Sequence, residues 1–390
     1  MQDNPIRVLY SFPHKLGAAR ICYTAWHQVN GLALAGAAVR AMPGVLYQKA
    51  HADVVVRQTL AWGKLRIPYK LLGRIRACAM HDQIVARRLE TLAGQIDVVH
   101  AWPLGAELTL RTAERLGIPT VLERPNAHTR FSYEVVQREC HQLGIVLPPN
   151  HEHAFNEEIL EREEREYQLA TKLLCPSEFV VRTFIDKGMP MGKLARHIYG
   201  YDEKRFYPDS RSINPGRGLI MLSVGVVAVR KGQHYALKAW LKSPASKTGI
   251  FLIAGKVLPD YRKVLGPMLE HPSVRLLGHC SDVPDLMRQC DILVLPSIEE
   301  GFGLVCTEAM GSGCVPLVSD ACTDICIHME NSLVHHVGDV DGLASHITLC
   351  HQNRQLLNTL RENGLRILTD ITWNAAGVKL LEVYRKVIAD

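Results

Sequence analysis

The sequence is short of the features that define several large protein classes. No stretch approaches the roughly 18 uninterrupted apolar residues of a membrane-spanning helix. The opening residues carry no apolar signal core before the strand-like Val8-Leu9-Tyr10. The expectation is a soluble cytoplasmic chain, or one peripheral to the inner face of a membrane. Neither sign of charge dominates: 45 Lys and Arg against 39 Asp and Glu leave +6. That is too mild to point to nucleic acid, and it suits an anionic substrate or an anionic membrane surface equally. No Cys-x-x-Cys pair occurs. The 11 cysteines are odd in number and scattered, so they read as reduced thiols rather than a disulfide frame. Cys306, Cys314, Cys322 and Cys326 cluster loosely but lack the paired spacing of a zinc site. Short-period repeats and low-complexity inserts are also missing.

What is present is ordinary globular composition, 47% apolar and 22% charged over 390 residues, a length that fits two α/β domains. Short β-branched runs without alternation read as buried parallel strands at 6–10, 98–101, 120–122 and 172–175. Helix-length runs separate them at 84–93, stopped by Gly94, and at 108–116, ended by Gly117. Another follows Ser177, a plausible N-cap, and stops at Gly188. A polar Pro/Gly-bearing stretch, 208–218, is the clearest linker. The alternation then restarts, with strands at 219–224, 250–254, 274–277, 292–295 and 315–318 and helices at 234–241, 285–289 and 304–311. The expected fold class is α/β: two Rossmann-like doubly wound domains facing across a cleft. The expected division is 1–207, a linker at 208–218, 219–370, and a closing segment at 371–390. In open sheets of this kind ligands sit outside the carboxyl ends of the strands.

The most informative stretch runs from Leu295 to Pro316 and contains Glu299-Glu-Gly-Phe-Gly-Leu-Val. A buried strand ends at Pro296, and a Gly-Phe-Gly turn opens a helix near Leu304, whose free amides suit a phosphate. Glu300 stands just before that helix and Glu308 about one turn inside it. Either glutamate alone would read as a solvated surface residue; with the glycine turn between them they read as a site. A second stretch, Ser223 to Trp240, places Arg230-Lys231-Gly232 at a helix start. Two cations there oppose the positive end of the helix dipole unless an anion lies nearby.

These stretches resemble the retaining glycosyltransferases of family four, the group 1 glycosyl transferases with the GT-B type of two-Rossmann fold. The family pattern is matched at Glu300, Gly301, Phe302, Gly303, Leu304, Glu308, Ala309, Met310, Gly313 and Pro316. The resemblance implies that Glu300 holds donor-sugar hydroxyls, that Glu308 holds the ribose, and that Lys231 neutralises the donor diphosphate. Gly303, Leu304 and Val305 would line the same donor site. Many members carry an arginine after the first glycine, where this chain has Val226, and Arg230 is the expected substitute. Gly17, in the loop after the first strand, would approach the diphosphate. His128, in Leu122-Glu-Arg-Pro-Asn-Ala-His-Thr129, would lie beside the reacting sugar. Residues 1–207 would then be the acceptor side and 219–370 the nucleotide-sugar side. The closing helix would cross back to brace the hinge, with Trp373 and Tyr384 as packing residues.

The activity implied is transfer of a sugar from a UDP- or GDP-sugar to a saccharide or lipid-linked acceptor, with retention of configuration. Neither a cofactor nor a metal is expected. The Asp339-Val-Asp341 pair reads as a solvated turn before a helix rather than a cation site. Residues 64–76 interleave cations with apolar side chains, a pattern that fits either a solvated helix face or contact with anionic lipid. The competing functional readings are a nucleotide-sugar epimerase of the same shape and a catalytically inactive nucleotide-sugar binder.

Overall fold

In the computed structural model, residues 4–63, 65–67, 72–149, 151, 153–209 and 217–390 are described. The centre of the linker read from sequence, and residues 64 and 68–71 of the basic stretch, lie outside them. Two parallel sheets organise the chain. The first contains β1 (Arg7–Leu16), β2 (Ala38–Leu46) and β3 (Val55–Val56). A small antiparallel pair stands apart from it, β4 (Ala61–Trp62) with β5 (Leu65–Arg66). The sheet continues with β6 (Val98–Ala101), β7 (Thr120–Glu123), β8 (Lys172–Cys175) and β9 (Leu194–Arg196), in the order β3-β2-β1-β6-β7-β8-β9. The second sheet contains β10 (Ile220–Val224), β11 (Ile250–Ala254), β12 (Val274–Gly278), β13 (Ile292–Leu295), β14 (Val315–Ser319) and β15 (Leu333–His335). Its order is β12-β11-β10-β13-β14-β15.

Both orders reverse direction beside their first strand. The crevices where a ligand can enter therefore lie between the carboxyl ends of β1 and β6 and between those of β10 and β13. The central strands are buried along their whole length, Ile-Leu-Val-Leu in β13 and Val-Pro-Leu-Val-Ser in β14. That explains why they read as continuous apolar runs rather than alternating ones. Among the described residues no helix is long and apolar enough to cross a membrane.

The first half departs from the sequence expectation in several places. β1 runs on to Leu16, six residues past the expected end, and pairs with β2 through a register shift between Phe12 and Lys15. Pro13 hides this continuation, because a proline in a central run argues against a strand. Here it is accommodated by Gly44, where an added Cβ would come within 2.5 Å of the Pro13 carbonyl oxygen. The helices Thr129–Gln142 and Glu157–Leu169 were not anticipated either, since both are rich in charge.

The last helix, Trp373–Ala389, returns to the first sheet. Its Leu380, Leu381, Tyr384 and Val387 join the core formed by Val8, Tyr10 and Phe12. Tyr384 hydroxyl lies 2.6 Å from His100 Nδ1, and Trp373 stacks on His27 with ring centroids 4.5 Å apart. The helix crosses Ile21–Leu34 with glycine against glycine: a Cβ on Gly377 would come within 2.6 Å of the Gly31 Cα. Gly377→Val should therefore lower stability by about 1–3 kcal/mol through overpacking. Urea unfolding of the two proteins measures this, and an unchanged midpoint would show that the crossing is loosely packed.

Candidate donor site

The loops after β10 and β13 meet at the crevice of the second sheet. After β10 the chain turns through Val229–Lys231 and a left-handed Gly232 (φ 64°) into the helix Gln233–Lys242. Gly232 is required there, because a Cβ would sit 2.0 Å from the Pro296 carbonyl oxygen. Ile298 N–H donates to the Arg230 carbonyl at 2.9 Å, tying the two loops together. After β13 the chain passes Pro296–Phe302 and enters the helix Leu304–Gly311 from Gly303, also left-handed (φ 68°). No side chain caps that helix and its first turn carries no acidic residue. The amides of Leu304 and Val305 thus remain available to an anion.

Glu300 is buried between these loops, 7% exposed. Its Oε2 is ion-paired with Lys231 Nζ and accepts from Ser297 Oγ at 3.3 Å. Its Oε1 accepts from Arg230 Nη1 at 3.4 Å and from the Gly301 amide at 3.3 Å. Burial pushes the carboxyl toward its neutral form, but Lys231 and Arg230 outweigh it and hold the group at about 2. Arg230 is fixed further by Glu299, whose backbone oxygen lies 3.0 Å and carboxylate 3.2 Å from Nη1. Two cations and two carboxylates therefore balance within one buried cluster.

Arg230, read from sequence as the substitute for a cation at Val226, makes its contacts here with the carboxylates of Glu299 and Glu300. It orients Glu300. Lys231 differs: of the three donors on its ammonium, the structure commits one to Glu300, which leaves capacity for an anion. Glu308 is partly exposed, and its carboxylate forms no hydrogen bond or ion pair among the described residues. Burial raises its carboxyl to about 7, partly offset by Arg205 and reinforced by Asp202.

The structure brings Arg230, Lys231, Glu300 and Gly303 into contact, with Leu304 and Val305 opening the next helix and Glu308 one turn inside it, and it places the two remaining expected residues among first-half neighbours. His128 is the N-cap of Thr129–Gln142, its Nδ1 accepting from Arg130 N–H at 3.2 Å. Its ring packs on Tyr167 and Phe184 and lines a cavity of about 540 Å³ formed by first-half residues. The cleft contact comes instead from Pro125 and Asn126: a Cβ on Gly301 would come within 1.7 Å of the Pro125 carbonyl oxygen. Burial, with Arg124, Lys187 and Arg130 nearby, also lowers His128 to about 3. These contacts hold its ring within the first half. Gly17 follows β1 directly in a left-handed conformation (φ 86°), but its close neighbours are Gln48 and Trp26 of the first half. Sequence reasoning placed Ser177 as the N-cap of Glu178–Asp186 but missed its second contact. Its Oγ donates to the Gly301 carbonyl at 2.6 Å and pins the donor loop from across the cleft. Asp339 caps the helix Val340–Gln352 through Gly342 N–H at 2.8 Å, so its carboxylate is already used locally.

Two doubly wound parallel sheets with a charged, glycine-turned crevice in the second define the class: a two-Rossmann protein of the GT-B type. Residues 218–353 match the family model described as glycosyl transferases group 1. Over those residues the chain is similar to the group 1 glycosyl transferases. One curated relative, from Campylobacter jejuni, is an N,N'-diacetylbacillosaminyl-diphospho-undecaprenol alpha-1,3-N-acetylgalactosaminyltransferase. It is 30% identical over 182 residues, 46% of this chain and 47% of the relative. The chain spans about half the length or less of the first curated relatives it matches. Among solved structures, sucrose-phosphate synthase from Thermosynechococcus elongatus superposes with a TM-score of 0.73 at 18% identity, covering 99% of both chains. HepE from Anabaena in complex with UDP superposes at 0.65 and 18% identity, covering 98% of this chain and all of that one. At these identities the likeness concerns the fold.

The Glu300 cluster makes a prediction with a defined sign. A carboxyl held below its ordinary value of 4.5 contributes stability that is present above that value and is lost as the pH falls toward about 2. Glu300→Gln leaves Lys231 and Arg230 without that charge, and should cost on the order of 3 kcal/mol near neutrality. In urea unfolding at a series of pH values, the gap between wild type and variant should shrink below pH 4.5. A gap of constant size would show that the pairing does not govern the group.

Proposed function

We propose that the chain transfers a glycosyl group from a nucleoside-diphosphate sugar to an acceptor hydroxyl, with retention of anomeric configuration. The observation that carries this reading is the buried Glu300, kept ionised by Lys231 and Arg230 beside uncapped helix amides. Each part suits one portion of such a donor. The amides of Leu304 and Val305 and the free donors of Lys231 suit the diphosphate, which gains negative charge as it departs. Glu300, with no proton of its own, accepts hydrogen bonds from sugar hydroxyls and orients the ring. Glu308, once ionised, can accept both ribose hydroxyls. In the transfer the bond from C1 to the diphosphate oxygen breaks and the acceptor oxygen bonds to C1. The acceptor proton passes to the leaving phosphate. With the Lys231 ammonium and the helix amides facing the leaving group, the reaction needs no divalent metal.

UDP is the favoured nucleotide, because the HepE structure that shares this fold holds it. A lipid-linked saccharide is the favoured acceptor class, given the diphospho-undecaprenol substrate in the name of the Campylobacter relative. Such an acceptor would bring the chain to the cytoplasmic face of a membrane.

The test is consumption of a panel of UDP- and GDP-sugars by the purified chain, with product configuration read by NMR. One donor should be consumed, and Lys231→Ala and Glu300→Gln should each slow it by about 100-fold or more, as loss of transition-state charge stabilisation does. Isomerised donor formed without acceptor would point to an epimerase. Binding without turnover would point to an inactive binder. Glu308 adds a pH signature. Its carboxyl at about 7 is a neutral acid below that pH and a carboxylate above it, so nucleotide affinity should rise between pH 6 and 8. Calorimetry with Glu308→Gln should give a flat profile; the same rise in the variant would assign the dependence to another group.

A further inference from the structure

A helix of the first half is wedged into the second. Val136 and Cys140, on Thr129–Gln142, and the following Ile145 share one apolar core with Val227, Val229, Ala236 and Leu237. The same helix touches the Val229–Lys231 turn. Within this contact lies a carboxylate that the donor reading does not use. Glu139 is 8% exposed, and its polar partners among the described residues come from the second half. Its Oε1 accepts from Tyr235 hydroxyl at 2.7 Å and stands 2.8 Å from His234 Nε2.

Behind His234 stands a second hydroxyl. Tyr261 hydroxyl accepts the His234 backbone N–H at 2.9 Å and lies 2.6 Å from His234 Nδ1. In the tautomer whose Nδ1 accepts the Tyr261 hydroxyl proton, the imidazole carries hydrogen on Nε2, the nitrogen facing Glu139. A second-half O–H is thus bonded to one first-half carboxylate oxygen, and a second-half imidazole stands 2.8 Å from the same oxygen. Burial opposes the charge on Glu139, and the contacts with His234 and Tyr235 outweigh it.

The position of this contact matters. His234 lies three residues beyond Lys231, across Gly232, whose turn is jammed against Pro296. A displacement of the helix start has no slack to absorb it before it reaches Lys231 and Glu300. We propose that Glu139 is a positioning residue that couples the approach of the two halves to the alignment of the Arg230–Lys231 turn. This rests on the donor reading above. Glu139 touches no reacting atom: separation of the halves returns it to water and releases the turn, and closure restores both.

The experiment uses the full chain with Glu139→Ala, Glu139→Gln and Tyr235→Phe, with UDP as the probe. Small-angle scattering should give Glu139→Ala a larger radius of gyration than wild type, both without ligand and at saturating UDP. With the nucleotide sugar that wild type consumes, kcat should fall about tenfold while KM for the donor moves less than about threefold, the split expected when alignment rather than binding is lost. Glu139→Gln still accepts the Tyr235 hydroxyl and should recover part of kcat. Tyr235→Phe, which leaves the core volume intact, should fall between the two and keeps the test valid if Glu139→Ala does not fold. Wild-type radius and kcat in both Glu139→Ala and Tyr235→Phe would overturn the proposal. Wild type that neither binds UDP nor consumes any nucleotide sugar would instead overturn the donor reading on which it depends.

Discussion

A carboxylate that must stay ionised while buried is the constraint around which the second half is arranged. Water cannot solvate Glu300, so its charge depends on Lys231 and Arg230, and their charges depend on Glu300 and Glu299 in return. Such a cluster is stable only when every partner is in place, because a single unpaired member would be a buried, unsolvated ion. The two loops are consequently short of freedom. Gly232 and Gly303 turn left-handed where a side chain would collide or strain, and the Ile298 amide ties one loop to the other.

The rest of the fold keeps that cluster at the crevice. Strand order brings the β10 and β13 loops together, and the buried runs of β13 and β14 hold their strands rigid behind them. The first half supplies the opposite wall. Pro125 and Ser177 grip Gly301, and Thr129–Gln142 lies against the turn carrying Lys231. The last helix, locked by Gly31 against Gly377, anchors the end of the chain to the first sheet. Function and fold thus share contacts: the segments that join the halves are also those that position the charged loops.

Much of this was legible in the sequence, for identifiable reasons. The strands at 292–295 and 315–318 and the helix at 304–311 follow from continuous apolar runs and glycine stops, and the structure differs by at most one residue. Glu300, Lys231 and the glycine turn were readable because the groups that define them are close in sequence. What the sequence could not show was direction and distance. His128 does follow a strand at its carboxyl end, but its side chain turns back to cap its own helix. Arg230 stands beside Lys231, yet a neighbour 69 residues away decides what it contacts. Glu139 gave no local signal, since it is one charge on a polar helix and its meaning comes from His234 and Tyr235, some 95 residues on. β1 was cut short because proline is weighed by its average behaviour, while Gly44 makes this one fit.

The central claim concerns where a diphosphate rests, and a crystal structure of the chain with UDP tests it most directly. The account predicts phosphate oxygens within hydrogen-bond distance of the Leu304 and Val305 amides and of Lys231 Nζ, with the ribose on the Glu308 carboxylate. A nucleotide seated in the crevice between β1 and β6, or one that leaves Lys231 and Glu308 without contact, would contradict it.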